Sequence, residues 1–199
     1  MSGAANAVKR VALMNESARL FRKCGYHATS MSDIAAAMNL NKGTLYYYYT
    51  AKGDILFAVY QEAYALLDAN VARIPGDLPP DEELAAYVTA VLRTVASAPD
   101  VIAVYFQEHP WLDSSLSAEQ AAVVHEKERA FTARLQEIIQ AGVRSGVFRR
   151  VNDRLLSVQL LATISSLYRW RLAENEASAE LIADTVLAYL YEGVLAPKR

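Results

Sequence analysis

Residues 41–52 read Asn-Lys-Gly-Thr-Leu-Tyr-Tyr-Tyr-Tyr-Thr-Ala-Lys. These residue types suit the holding of an anionic polymer. Lys42 brings a positive charge, and Thr44, Tyr46, Tyr47 and Tyr48 bring hydroxyls that donate to phosphate oxygens or reach base edges. Gly43 has no side chain, so a phosphate can come close to its backbone. An exposed run of tyrosines is costly unless something covers it. Two plainer readings stand beside this one. Four tyrosines also suit the core and rim of a helical bundle, and helix-turn-helix shapes occur in proteins that never touch DNA.

The flanking residues set these groups on elements. Ser30 is a good N-cap, with Asp33 three residues on as its capping-box partner. Ile34, Ala35 and Met38 give an apolar face at helical spacing, and Ala35, Ala36 and Ala37 allow close approach of a second helix. Asn39 tolerates the left-handed conformation that ends a helix, and Leu40 plugs the turn. Asn41 caps the next helix, Lys42 to about Tyr48, with Leu45 and Tyr49 inward and Lys42, Thr44, Tyr47 and Tyr48 outward. The layout is a helix-turn-helix, whose second helix enters a DNA major groove.

Charge is divided along the chain. The 199 residues carry a net charge of −2, yet residues 1–60 hold seven basic against three acidic side chains, net +4. The remainder holds 13 basic against 19 acidic, net −6. A basic head on an acidic body suits a small DNA-reading domain carried by a larger one. The single cysteine, Cys24, excludes an intrachain disulfide and a cysteine-rich zinc site; its place at the end of an apolar helix predicts a buried thiol. No signal peptide or apolar run of about 18 residues appears, which predicts a cytoplasmic protein with no membrane partner.

Helical periodicity runs nearly throughout. A first helix is predicted over Val8–Cys24, with Val11, Ala12, Ala18, Leu20 and Phe21 toward a core and Gly25 as its stop. Thr50 caps a fourth helix from Lys52 to about Ile74, long enough to serve as a strut. The Pro-Gly-Asp-Leu-Pro-Pro stretch at 75–80 is a loop. Further helices are predicted near 81–97, 100–110, 117–146, 152–173 and 177–195, with a turn over Pro110–Leu116 and a capping box of Ser117 and Gln120. The fold class is all-α: a three-helix head at residues 1–53 on a helical bundle at 54–199.

Other chemistry finds little support. His27, His109 and His125 are scattered, and adjacent Glu108 and His109 fall on different helix faces, so no metal site is expected. No di-iron Glu-x-x-His pattern, glycine-rich phosphate loop or nucleophile elbow is present, so neither an enzyme nor a cofactor is expected. A dimeric interaction protein with a vestigial helix-turn-helix is the remaining class, and salt-dependent binding of a palindromic duplex separates it from a regulator.

Residues 8–55 resemble the DNA-binding head of the TetR (tetracycline-repressor) family of bacterial regulators. The resemblance is carried by Phe21, Gly25, Tyr26, Thr29, Ser30, Ile34, Ala35, Lys42, Gly43, Thr44, Leu45, Tyr46, Tyr47, Tyr48, Tyr49 and Lys52, with Tyr49 standing where phenylalanine is usual. It implies that Ser30, the Gly43 amide, Tyr48 and Lys52 grip phosphates and that Lys42, Thr44 and Tyr47 sit nearest base edges. Tyr46 would have a core and a phosphate role, and Lys9 and Arg10 would reach the backbone from an amino-terminal arm.

The resemblance also implies a repressor that acts as a homodimer on a near-palindromic operator, its two recognition helices about 34 Å or slightly more apart. The dimer would form through two apolar helices. One carries Leu155, Leu156, Val158, Leu160, Leu161, Ile164 and Leu167; the other carries Leu181, Ile182, Val186, Leu187, Leu190 and Val194. The same pattern would serve as a buried pair in a monomer.

A small hydrophobic effector would bind the body and tilt the strut helix, spreading the heads. The candidate lining is Tyr105, Phe106, His109, Trp111, His125, Arg129, Tyr168 and Arg169. The segment Leu167–Trp170, the Glu108 region and the Gly142–Phe148 turn are similar to relatives that bind acyl-CoA thioesters of lipid catabolism, where Arg169 would meet a phosphate or carboxylate. Arg169 can equally be a helix-end charge paired with Glu174 or Glu176, and a drug-like or aromatic effector fits the same lining.

Overall fold

A computed structural model describes the backbone of residues 2–172 and 179–194, and the side chains of 4–166 and 180–193. The described residues form α1 (Ser2–Cys24), α2 (Met31–Ala37), α3 (Lys42–Tyr48), α4 (Lys52–Val71), α5 (Pro80–Ser97), α6 (Pro99–Glu108), α7 (Leu112–Ser115), α8 (Ala118–Ser145), α9 (Asp153–Leu172) and α10 (Ala179–Val194). The all-α class holds. Two compact units emerge, one of Met1–Tyr64 with Ala98–Val124 and one of Ala65–Ser97 with His125–Arg199.

In the first unit α1 packs on α2 and α6, and α2 on α3. Leu13, Met14, Ser17, Ala18 and Phe21 form the buried seam of α1. The expected pair Val11 and Ala12 lies outside it, exposed. The elements that cover α1 come from elsewhere in the chain and select a stripe rotated from the one expected. Ile55, Leu56, Val59 and Tyr60 of α4, and Val101, Ile102, Ala103 and Val104 of α6, complete the core. Arg22 of α1 pairs with Asp100 of α6 at 2.7 Å.

Local ends follow their chemistry. Gly25, at φ 88°, turns the chain out of α1. Tyr26 then packs edge-on against Phe21, with centroids 5.1 Å apart. Tyr26 fills that space, and Cys24 is left exposed rather than buried as expected. Thr50 is not the cap of α4. Ala51 precedes the helix, and its amide and the Thr50 hydroxyl both donate to Asp54, at 2.9 and 2.5 Å. These bonds, the Thr50 one foremost, hold the Asp54 carboxyl below the usual range. Ser117 and Gln120 do form the expected capping box, and the Gln120 amide also donates to Asp54 at 2.9 Å. The expected turn over 110–116 is a 3-10 turn at His109–Trp111 followed by α7. Helical geometry survives Pro110 because a proline at a helix start loses no needed N–H.

In the second unit α5 packs on α9 and α10. Leu84, Tyr87, Val88 and Leu92 of α5 are buried with Ile182, Ala183, Leu187 and Leu190 of α10, and Leu135, Ile138 and Ile139 of α8 are buried too. The Tyr87 ring stacks on Phe131, and its hydroxyl donates to the Phe131 carbonyl at 2.9 Å. Burial pushes this phenol far above the usual tyrosine range. After α8, Gly146 at φ 78° folds the chain back, and the Phe148 amide reaches the Gly142 carbonyl at 3.0 Å. The buried Phe148 ring then lies directly over Gly142, in the space a Cβ would take.

Candidate nucleic-acid interface

The turn that presents α3 is built from short-range bonds. Ser30 accepts from the Asp33 amide at 3.2 Å, and Asp33 accepts from the Ser30 amide at 2.8 Å, closing a capping box on α2. Ile34 and Ala35 of α2 are buried. At its end Asn39 takes φ 53°, the one positive value among the described non-glycine residues. The Leu40 amide bonds the Ala35 carbonyl at 2.8 Å and the Asn39 amide bonds the Ala36 carbonyl at 3.1 Å, a Schellman closure. Asn41 follows as the cap of α3, its Oδ1 accepting from the Thr44 amide at 2.7 Å.

This closure fixes which face of α3 is outward. Leu45 and Tyr49 are buried, at 0% and 2% exposure. The buried Tyr49 hydroxyl donates to the Arg10 carbonyl at 3.2 Å, which supplies the partner a phenylalanine would not need. Tyr47 is 72% exposed and Tyr46 47%, so Tyr46 takes no core place. Lys42 and Gly43 are exposed, and Thr44 and Tyr48 half-buried. An alanine methyl at Gly43 would meet only Asn41 Oδ1, at 3.4 Å, so the open space there faces outward.

Several expected phosphate donors are already engaged within the fold. The Lys52 ammonium donates to the carbonyls of Tyr26 (2.8 Å), Thr29 (2.9 Å) and His27 (3.3 Å), and lies 4.4 Å from the Tyr26 ring centroid. Burial lowers its pKa, while the Glu108 carboxylate works in the opposite sense. The Ser30 hydroxyl donates to Asp33 at 2.6 Å. The Thr44 hydroxyl donates to Asn41 at 2.9 Å and the Tyr48 hydroxyl to Asn6 at 3.0 Å. No extended arm exists at Lys9 and Arg10, because α1 already starts at Ser2. Alanine-rich residues 4–7 favour the helix. Arg10 instead lies over the Tyr49 ring at 4.5 Å and donates to the Tyr48 carbonyl at 3.3 Å. Asn6 carried no signal in the sequence, because its partners lie more than forty residues away.

The expected effector residues fall into groups. Tyr105 brings rings together: Tyr60 at 5.3 Å, Tyr64 at 5.8 Å, Phe106 at 5.1 Å and His109 at 5.7 Å between centroids. The Tyr64 and Tyr105 hydroxyls are 3.2 Å apart. Trp111 is 59% exposed. His125 and Arg129 line an open groove of about 330 Å³ along α8 with Glu128, Thr132, Ala133 and Gln136. The side chains of Tyr168 and Arg169 lie outside those described, as do Trp170, Glu174 and Glu176. Glu108 faces the head, 3.7 Å from His27 and close to the Tyr26 amide and Lys52. Burial pushes its carboxyl up, and His27, that amide and Lys52 pull it down.

A short capped helix with an exposed polar and aromatic face, set by a closed turn on a packed partner helix, defines a helix-turn-helix DNA-binding protein. Residues 13–59 match the family model described as bacterial regulatory proteins, tetR family. Residues 77–194 match the model described as tetracyclin repressor-like, C-terminal domain. The chain belongs to the TetR family: it is a DNA-binding transcriptional regulator, not an enzyme.

It is 25% identical over 202 residues to the HTH-type transcriptional repressor KstR2 of Rhodococcus jostii (strain RHA1), covering 95% of this chain and 92% of that one. In fold it is similar to the ketosteroid transcriptional regulator KstR2 of Mycobacterium tuberculosis, with a TM-score of 0.86, 19% identity and coverage of 95% and 96% of the two chains. It is also similar in fold to AibR in complex with isovaleryl coenzyme A and operator DNA, with a TM-score of 0.79, 24% identity and coverage of 90% and 96%. Among the described residues no single helix is long and apolar enough to cross a membrane, and none of their His, Cys, Asp and Glu side chains form a metal-holding group of three or more.

Proposed function

We propose that this regulator is a cytoplasmic homodimeric repressor, released from a near-palindromic operator by a small hydrophobic effector. The observation that carries the DNA side is α3 itself, capped by Asn41 and leaving Lys42, Gly43 and Tyr47 exposed. We assign operator binding to residues 1–53, and effector binding and dimerisation to 54–199. Lys42 and Tyr47 meet base edges, and Thr44, whose hydroxyl proton goes to Asn41, meets them through its methyl or as an acceptor. Tyr46 and the Gly43 amide meet phosphates. Ser30, Tyr48 and Lys52, whose donors are engaged within the fold, hold the interface in shape.

Dimerisation is supported by exposed apolar side chains on the last two helices: Leu155, Val158, Leu181 and Tyr189, at 62%, 55%, 58% and 84% exposure. Leu160, Ile164, Ile182, Leu187 and Leu190, expected on the same surface, are buried within the protomer. Leu167 and Val194 have side chains outside those described. The effector is read as an acyl-CoA thioester. AibR, whose solved complex holds isovaleryl coenzyme A, supports this through likeness of fold. Release requires the effector to prefer the DNA-free state by about 1–3 kcal/mol.

Purified protein challenged with genomic fragments, its own promoter included, tests this reading. A retained near-palindrome, protected by a dimer and freed by micromolar acyl-CoA, is the expected result. No enriched fragment at low salt removes the operator; release by an aromatic or drug-like compound and by no thioester replaces the effector. A Leu181→Glu variant that still sediments as a dimer moves the dimer interface elsewhere.

A further inference from the structure

Asn6 stands in the second turn of α1, outside the helix-turn-helix. Its side-chain amide bridges two neighbouring tyrosines of α3. Oδ1 accepts from the Tyr48 hydroxyl at 3.0 Å, and Nδ2 donates to the Tyr47 hydroxyl oxygen at 3.3 Å. The two rings meet edge-on, 5.1 Å apart at 88°. One helical turn further along α1, Arg10 holds the same end of α3 through the Tyr48 carbonyl and the Tyr49 ring.

We propose that Asn6 is a positioning residue that determines sequence specificity by fixing Tyr47 and deciding which tyrosine offers a proton to DNA. A phenol has one O–H to donate and two lone pairs. Tyr48 gives its proton to Asn6, so what it retains are acceptor sites, which a phosphate does not seek. Tyr47 receives a hydrogen bond and keeps its own proton, and a hydroxyl that accepts is polarised into a better donor. Tyr47 is 72% exposed, so little packing restrains its ring. The amide bridge orders it before DNA arrives, removing an entropy loss from binding. Two like residues, side by side, are thereby given unlike parts.

The inference rests on the reading of α3 as the base-contacting helix. The full-length chain is tested as Asn6→Ala, Asn6→Asp, Tyr48→Phe, Tyr47→Ala and the double variant Asn6→Ala with Tyr48→Phe. Each is titrated against the operator, used to select from a half-site-randomised duplex pool, and melted. Asn6→Ala is expected to weaken binding about fivefold, the worth of one net hydrogen bond. It should also flatten base preference at the half-site position that Tyr47→Ala flattens, with the melting temperature unmoved. The double variant should lose no more than Asn6→Ala alone, the mark of one shared interaction. Asn6→Asp should bind more weakly than Asn6→Ala, because a carboxylate takes the Tyr47 proton and repels phosphate.

Unchanged base preference in Asn6→Ala overturns the proposal, as does a uniform loss that tracks a lower melting temperature. A double variant that binds more weakly than Asn6→Ala alone, or equal binding by Asn6→Asp and Asn6→Ala, also overturns it. If Tyr47→Ala itself leaves binding and preference intact, the reading of α3 has failed, which is a distinct result.

Discussion

The most discriminating substitution is Lys52→Met, which keeps the long apolar stem and removes the ammonium. In the fold that ammonium ties three carbonyls of residues 26–29, two at 2.8 and 2.9 Å and one at 3.3 Å. A hydrogen bond from a charged donor contributes about 1.5–3 kcal/mol net when well buried. Lys52 is only partly buried, so its two short bonds are taken at about 1 kcal/mol each and the long exposed one at nothing. The ring contact with Tyr26 adds about 0.5–1 kcal/mol. The sum, about 2–3 kcal/mol, lowers the Tm of a chain this size by roughly 5–10 °C. Thermal unfolding by circular dichroism reads this directly. Operator titrations over a salt series read the alternative, because a lost phosphate contact lowers the slope of log affinity against log salt by about 1. A lower Tm with an unchanged slope is expected. An unmoved Tm with a shallower slope would refute the reasoning, for it would mean that the ammonium leaves its carbonyls for the DNA backbone.

Three further outcomes follow from the geometry. Gly43→Ala meets only ordinary contact with Asn41 Oδ1 at 3.4 Å, so the fold should keep its Tm while operator affinity, read by fluorescence anisotropy, falls about tenfold or more. Gly142→Ala would set a methyl 2.1 Å from Cδ2 of the buried Phe148 ring; a loss of about 1–3 kcal/mol is expected by denaturant unfolding, with partial rescue by the smaller Phe148→Val. Glu108 has a folded-state pKa raised by burial, so its contribution to stability is present below the unfolded pKa and lost as pH rises through the folded one. Glu108→Gln should therefore melt higher than the parent near pH 7 and no higher near pH 4, about the ordinary carboxylate pKa; a gain equal at both pH values would count against this account.

What was legible in the sequence is what is settled within a few residues. The Ser30–Asp33 box, the left-handed Asn39 and the Asn41 cap each find their partners three or four positions away, and each appears in the structure as read. Groups with distant partners were not legible. The stripe of α1 that faces inward is chosen by α2 and α6, so Val11 and Ala12 stay out while Leu13 and Met14 go in. The Lys52 ammonium finds its carbonyls 23 to 26 residues back, and Asn6 finds its tyrosines 41 and 42 residues on. Along α9 and α10 a leucine reads the same whether it fills a protomer or remains outside. The structure buries Leu160 and Ile164 yet exposes Leu155 and Val158 on one helix.

The exposed thiol at the end of α1 has a practical consequence. Cys24 is the single cysteine in 199 residues, and it sits in the unit that carries α3. A maleimide dye or nitroxide will therefore attach at one place on the unmutated chain, with no background sites to remove. In a two-fold assembly the pair of labels yields one distance. Pulsed dipolar spectroscopy of that distance, with operator or the proposed acyl-CoA effector added in turn, turns the natural sequence into its own ruler for the separation of the heads in the proposed dimer.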